Sequence, residues 1–110
     1  MIIAYLEPDH SPNQNTLTML KFIHRIKSRF IPDDKILTKQ DCVTIIRGRG
    51  YYRDRDFSFS KGSLMYRTQI DVYEDKVWIK AYCDGYGESD TIRFPITKSQ
   101  LHSFIRENAV

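Results

Sequence analysis

The apolar positions of this chain change period along its length, and each change marks an element. Met1 to Leu6 is a short run, apolar on both faces, which is the pattern of an interior strand. Ser11, Pro12 and Gln14 then supply a cap, a first-turn proline and a capping-box partner for a helix start. Met19, Ile23, Ile26 and Phe30 recur at helical spacing, flanked by Leu20 and Phe22. Lys21, His24, Arg25 and Ser28 fall on the opposite side. Pro32 pushes Ile31 out of the α region, so this long helix is expected to stop near Phe30.

From about Asp41 the period becomes two, with Val43 and Ile45 alternating with Cys42, Thr44 and Ile46. This predicts a strand. Phe57 and Phe59 alternate with serines, and Lys61-Gly62 reads as a turn into a strand over 64–73. Glu74-Asp75 turns the chain into Val77–Cys83, and Asp84-Gly85-Tyr86-Gly87 reads as a longer loop before Thr91–Phe94. At the end, Thr97 and Gln100 form a capping box, Ile96 and Leu101 a hydrophobic staple, and Leu101, Phe104 and Ile105 one apolar face. The expected fold is therefore α+β, in the order β-α-β-β-β-β-β-α. It has an antiparallel meander of about 5–6 strands, one long N-terminal helix and one short C-terminal helix.

A two-residue turn at Glu74-Asp75 fixes a register: Val72 faces Val77, Ile70 faces Ile79, Thr68 faces Ala81 and Tyr66 faces Cys83. The opposite face then holds Asp71 with Trp78, Gln69 with Lys80 and Arg67 with Tyr82, and Arg93 extends it. Rings interleaved with cations on an outward sheet face suit stacked, unpaired bases and their phosphates.

Length and composition change the picture little. With 110 residues, 41% of them apolar, the chain is expected to be a single domain over residues 1–110. Thirteen of its fourteen aromatics are Phe or Tyr, which favours strands. The start lacks the basic lead-in of a signal peptide, and nothing approaches the roughly 20 apolar residues of a membrane span. Cys42 and Cys83 fall in expected strands, so reduced core thiols in a cytoplasmic setting are anticipated.

Charge adds more. The net value is +3, but the cations are clustered. Lys21, Arg25, Lys27 and Arg29 lie along the first helix, whereas Asp84, Glu88 and Asp90 make an acidic stretch. The densest feature is Arg47-Gly48-Arg49-Gly50-Tyr51-Tyr52-Arg53-Asp54-Arg55, read as a solvated loop whose guanidiniums fork onto phosphates and whose tyrosines stack on bases. The candidate nucleic-acid-binding residues are thus Arg47, Arg49, Tyr51, Tyr52, Arg53 and Arg55 in this segment, with Arg67, Trp78, Lys80 and Tyr82 on the sheet.

Catalytic and metal-binding patterns are not found. His10, His24 and His102 lack ligand spacing, and the glycines do not make a phosphate loop. Pro32-Asp33 with Glu74-Asp75-Lys76 echoes a metal-dependent nuclease core, but Glu74 and Lys76 fall at a turn. The run from Met65-Tyr66-Arg67 to Glu74-Asp75-Lys76-Val77 is similar to the hairpin of bacterial mRNA-cleaving toxins. That likeness covers under a fifth of the chain and implies a metal-free ribonuclease working through Arg, Lys, Tyr and His. The helical pair that those toxins carry before the sheet is not read here. The leading expectation is a non-enzymatic module, without cofactor, for single-stranded RNA or DNA. The alternative is a modulator or inhibitor that binds a protein partner through its exposed aromatics and arginines.

Overall fold

A computed structural model of the chain describes residues 23–110. The strand expected at Met1–Leu6 and the helix start at Ser11–Gln14 lie outside these residues. Residues 23–29 are helical, followed by α1 (Lys39–Gly48), five strands and α2 (Lys98–Asn108). The strands are β1 (Tyr52–Arg55), β2 (Ser58–Gly62), β3 (Tyr66–Val72), β4 (Lys76–Cys83) and β5 (Tyr86–Arg93). They pair antiparallel in sequence order, so the architecture is α+β with a five-stranded meander.

The β3–β4 register is the one that the alternation requires, from Val72↔Val77 through Tyr66↔Cys83, with Asp71↔Trp78, Gln69↔Lys80 and Arg67↔Tyr82 on the other side. One face of the sheet presents Phe59, Ile70, Val72, Val77 and Ile79 to α1 and α2. These side chains and those of Cys42, Val43, Ile45, Ile46, Leu101 and Ile105 form one core cluster. The α2 cap is as expected, since Thr97 and Gln100 exchange side-chain bonds with each other's backbone N–H.

Four local expectations are corrected. Residues 41–46 are helical rather than extended, and Thr38 and Asp41 form the capping box that starts α1. Its buried residues Cys42, Val43, Ile45 and Ile46 follow helical spacing. Asp84-Gly85 is a two-residue turn, with φ +52 at Asp84 and +87 at Gly85, so β5 begins at Tyr86 and no longer loop exists. The turn placed at Lys61-Gly62 falls after Gly62, over residues 63–65. At the described end of the first helix, Ile26 and Phe30 are exposed while Ser28 is buried.

The last correction has a packing cause. A Cβ on Gly48 would lie 3.1 Å from the His24 carbonyl oxygen and 3.3 Å from the Ser28 Cβ. The two helices therefore touch through small residues, and the Ser28 side turns inward with the neighbouring Ile31. Lys98 Nζ secures the junction by donating to the carbonyls of Ser28 and Ile31, at 2.7 and 2.9 Å. Carbonyls at a helix C-terminus lack intrahelical partners and favour a cation.

Candidate nucleic-acid interface

The Arg/Gly segment is not a solvated loop. Arg47 and Gly48 complete α1, Arg49 is its C-cap, Gly50 turns the chain at φ +94, and β1 follows. Tyr51 is only 3% exposed and belongs to the core, so it offers no ring to a base. Tyr52 is exposed. The four arginines consequently part company. Arg49 turns toward α2, where its Nη1 donates to His102 Nδ1 at 3.0 Å. A guanidinium can only donate, so His102 accepts there and is neutral. Burial lowers the His102 pKa, and Arg49, Lys98 and Arg106 lower it further. Arg55 ends β1 beside the turn at Asp56-Phe57.

Arg47 and Arg53 instead act on the helical residues 23–29. Burial, then the charges of Arg47, Lys27 and Arg53, push the His24 pKa down to about 4. Arg47 is itself half-buried, and its pKa falls through burial and then through Arg53. The His24 Nδ1 atom is buried and has no hydrogen-bond partner among the described residues. Ion pairs there join Lys35 to Asp41, Lys39 to Glu74 and Arg93 to Asp75; none includes Lys27, Arg47 or Arg53. Lys27 and Arg53 are exposed beside half-buried Arg47; like charges so placed repel, and a bound anion offsets that repulsion. Lys27, Arg47 and Arg53 thus form a cation cluster about His24 at the β1 edge, with no carboxylate ion-pair partner among the described residues. Sequence reasoning missed Lys27 and His24 as members of it.

The sheet face away from α1 and α2 carries the second group. Arg67 lies over the Tyr82 ring at 4.7 Å and Lys80 at 5.0 Å, so the cations and the ring are stacked on one another. The end of the Lys80 side chain lies against Gly87, where a Cβ would make it shift. Trp78 is half-buried two residues away. The face is not uniformly basic. Asp71 accepts from Ser58 Oγ at 2.6 Å and, at 3.4 Å, from Gln69 Nε2 and the Tyr73 hydroxyl, while Ser60 Oγ donates to Asp54. Arg93, in register with Lys76 on this face, is held by Asp75 at 3.1 Å. The structure thus divides the ten sequence candidates. Arg47 and Arg53 join a cation cluster, Arg67, Lys80 and Tyr82 form a stack beside Trp78, Tyr51 and Arg49 are engaged internally, and Tyr52 and Arg55 are exposed at the two ends of β1.

The two cysteines also separate. Cys42 is fully buried in α1, and burial pushes its thiol up to about 12. Cys83 is exposed at the end of β4, so it is not the core residue expected. A thiol reagent at neutral pH should therefore modify one cysteine in the native protein and the second only after unfolding. Peptide mapping that finds Cys42 labelled first would refute this placement.

No family model, curated protein or solved structure matches this chain. Among the described residues, no helix is long and apolar enough to cross a membrane. Function is therefore read from the chemistry of the site.

Proposed function

We propose that this protein is a non-enzymatic binding module for single-stranded nucleic acid. The observation that supports the reading is the convergence of Lys27, Arg47 and Arg53 around neutral His24, without a carboxylate partner among the described residues. Phosphates occupy this cluster at the β1 edge. Tyr52, exposed on the same edge strand but in register with Ser60 and so on the sheet face opposite to Arg53, offers a ring to an unpaired base of a strand that crosses this edge. The Arg67–Tyr82–Lys80 stack with Trp78 gives a second, weaker surface, because Asp71 and Asp54 share that face.

Each phosphate that a cation neutralises on a single strand adds about 0.7 to the slope of log K against log salt. Replacing Arg47 and Arg53 together with Ala should flatten that slope by more than one, read by fluorescence anisotropy with labelled RNA and DNA. Tyr52→Ala should cost roughly 1–3 kcal/mol of affinity with the slope preserved. Absence of binding to any oligonucleotide at low salt would end this reading.

A metal-free ribonuclease is the second reading, and one observation favours it. Two helical segments, residues 23–29 and α1, do precede the sheet, as in the toxins whose hairpin the β3–β4 segment resembles. Arg67, Lys80 and Tyr82 would then act on the RNA. Labelled RNA recovered intact from the binding reactions in EDTA excludes this reading. Cleavage that disappears with Arg67→Ala would replace the first reading with it.

A further inference from the structure

The two edges of the sheet are built differently. β1 has four residues and a register shift between Arg53 and Arg55, and such bulges blunt an edge. β5 has eight residues, pairs with β4 in unbroken register, and is exposed at every position but Ile92. Neither proline nor bulge interrupts it.

The hydrogen-bonding direction along β5 follows from its turn. Cys83 and Tyr86 close a two-residue hairpin, so they are a hydrogen-bonded pair and the pairs alternate from there. Tyr86, Glu88, Asp90 and Ile92 thus turn their backbone groups toward β4. Gly87, Ser89 and Thr91 turn theirs outward. The Thr91 N–H is met by its neighbour, Asp90 Oδ1, at 2.8 Å, which fits an outward-pointing donor. The outward groups of Gly87 and Ser89 have no such partner among the described residues.

Side chains along this edge have their own order. Tyr86, Glu88 and Asp90 lie on one face at successive alternate positions, and Tyr86 is 81% exposed. Next to Tyr86, the row continues through Cys83 to Tyr66, with exposed Leu64 and Met65 in the adjoining turn. The Met65 carbonyl accepts from Asp84 N at 2.9 Å, which ties that turn to the β4–β5 hairpin. An apolar end therefore runs directly into an acidic strand edge.

We propose that β5 is a docking edge for an extended, basic segment of a partner protein, which adds as a sixth strand. Its backbone bonds to Gly87 and Ser89, two cations at alternate positions face Glu88 and Asp90, and an apolar residue two positions further on covers Tyr86. Charge selects this occupant. A second copy of β5 paired antiparallel about Ser89 would set Glu88 against the other copy's Asp90, and like charges directly opposite are destabilising. A phosphate backbone is repelled for the same reason. Strand addition takes its affinity from main-chain bonds and its specificity from alternate side chains. The site lies on the edge opposite to the cation cluster and does not depend on nucleic-acid binding.

The test uses the isotope-labelled full chain and synthetic peptides as probes. The first alternates threonine with lysine, lysine and leucine, so that the three share one face. A second has the same composition with the lysines adjacent, and a third carries glutamate for lysine. The alternating lysine peptide should move the amide resonances of Gly87 and Ser89 and bind at least about tenfold more tightly than the other two. N-methylation of its amide facing Ser89 should abolish binding. Glu88→Lys with Asp90→Lys, both exposed, should reverse the preference toward the glutamate peptide while thermal unfolding stays unchanged. Equal binding of the adjacent-lysine peptide, binding that survives N-methylation, or no shift at Gly87 and Ser89 at about 1 mM peptide overturns the proposal. The acids then serve only to keep the edge unpaired.

Discussion

Removing residues 101–110 is expected to leave a chain with no cooperative unfolding transition. Leu101 and Ile105 are fully buried and Phe104 nearly so, and all three belong to the single core cluster shared by the sheet and α1. Loss of one large buried side chain costs about 2–5 kcal/mol, set against a total stability of about 5–15 kcal/mol for a typical domain. The truncation removes three, uncovers Val77 and Ile79, and takes away the Val110 N–H that bonds to Thr68 Oγ1 at 3.0 Å. Single replacements grade the effect. Ile105→Ala alone should lower stability by about 2–5 kcal/mol in urea titrations with an unchanged slope. A truncated chain that melts as sharply as the full one would show that α2 is not what closes the core.

The elements that were legible share one property: each buries one side only. β3 and β4 alternate cleanly because one face meets helices, so Val72, Ile70, Val77 and Ile79 stand out against Asp71, Gln69, Trp78 and Lys80. α2 announces itself through Thr97, Gln100 and an apolar stripe. α1 did not, because Val43, Thr44, Ile45 and Ile46 are β-branched, and an apolar run in so short a helix hides its period. The Thr38–Asp41 box was the available signal, with Asp in place of the usual Glu or Gln. The first half of β5, ahead of the strand expected from Thr91, failed for the opposite reason. An edge strand exposed on both faces has no alternation to read, and only Asp84-Gly85, a favoured primed-turn pair, marked its start.

The candidate site was legible in part, for a reason of range. Residue types in 47–55 pointed to cations and rings, but whether they act together depends on which way each backbone position faces. A helix end, a positive-φ glycine and an edge strand send Arg49 and Tyr51 inward or toward α2, while Arg47 and Arg53 meet Lys27 and His24, some twenty residues earlier in the chain. Nothing local in either segment encodes that meeting. It follows from the close approach of Ser28 to Gly48.

His24 turns that meeting into a measurable result. Its folded pKa of about 4 lies below the ordinary 6.5, through burial first and then through Arg47, Lys27 and Arg53. Between those values the unfolded chain takes up a proton that the native protein refuses. This contribution to stability is therefore complete above about pH 6.5, falls as pH drops, and is fully lost below about 4. Its size is about 1–3 kcal/mol once solvent screening of a half-exposed ring is allowed for. His102 is depressed in the same direction, so wild-type melts carry both effects. A His24→Gln variant should keep the His102 share and lose the rest, visible as a shallower decline in melting temperature between pH 6.5 and 4. Ligand binding then acts on the same proton. A phosphate set among Lys27, Arg47 and Arg53 offsets the part of the depression that those charges cause and leaves the part due to burial, so the bound protein should titrate His24 measurably above about 4. By linkage, an oligonucleotide should bind more tightly as pH falls through that interval, and the gain should vanish in His24→Gln. Imidazole resonances followed by NMR with and without a short single strand read both effects directly. If His24 still titrates at about 4 in the saturated complex, the phosphates lie elsewhere, and the cation cluster at the β1 edge is not the binding site.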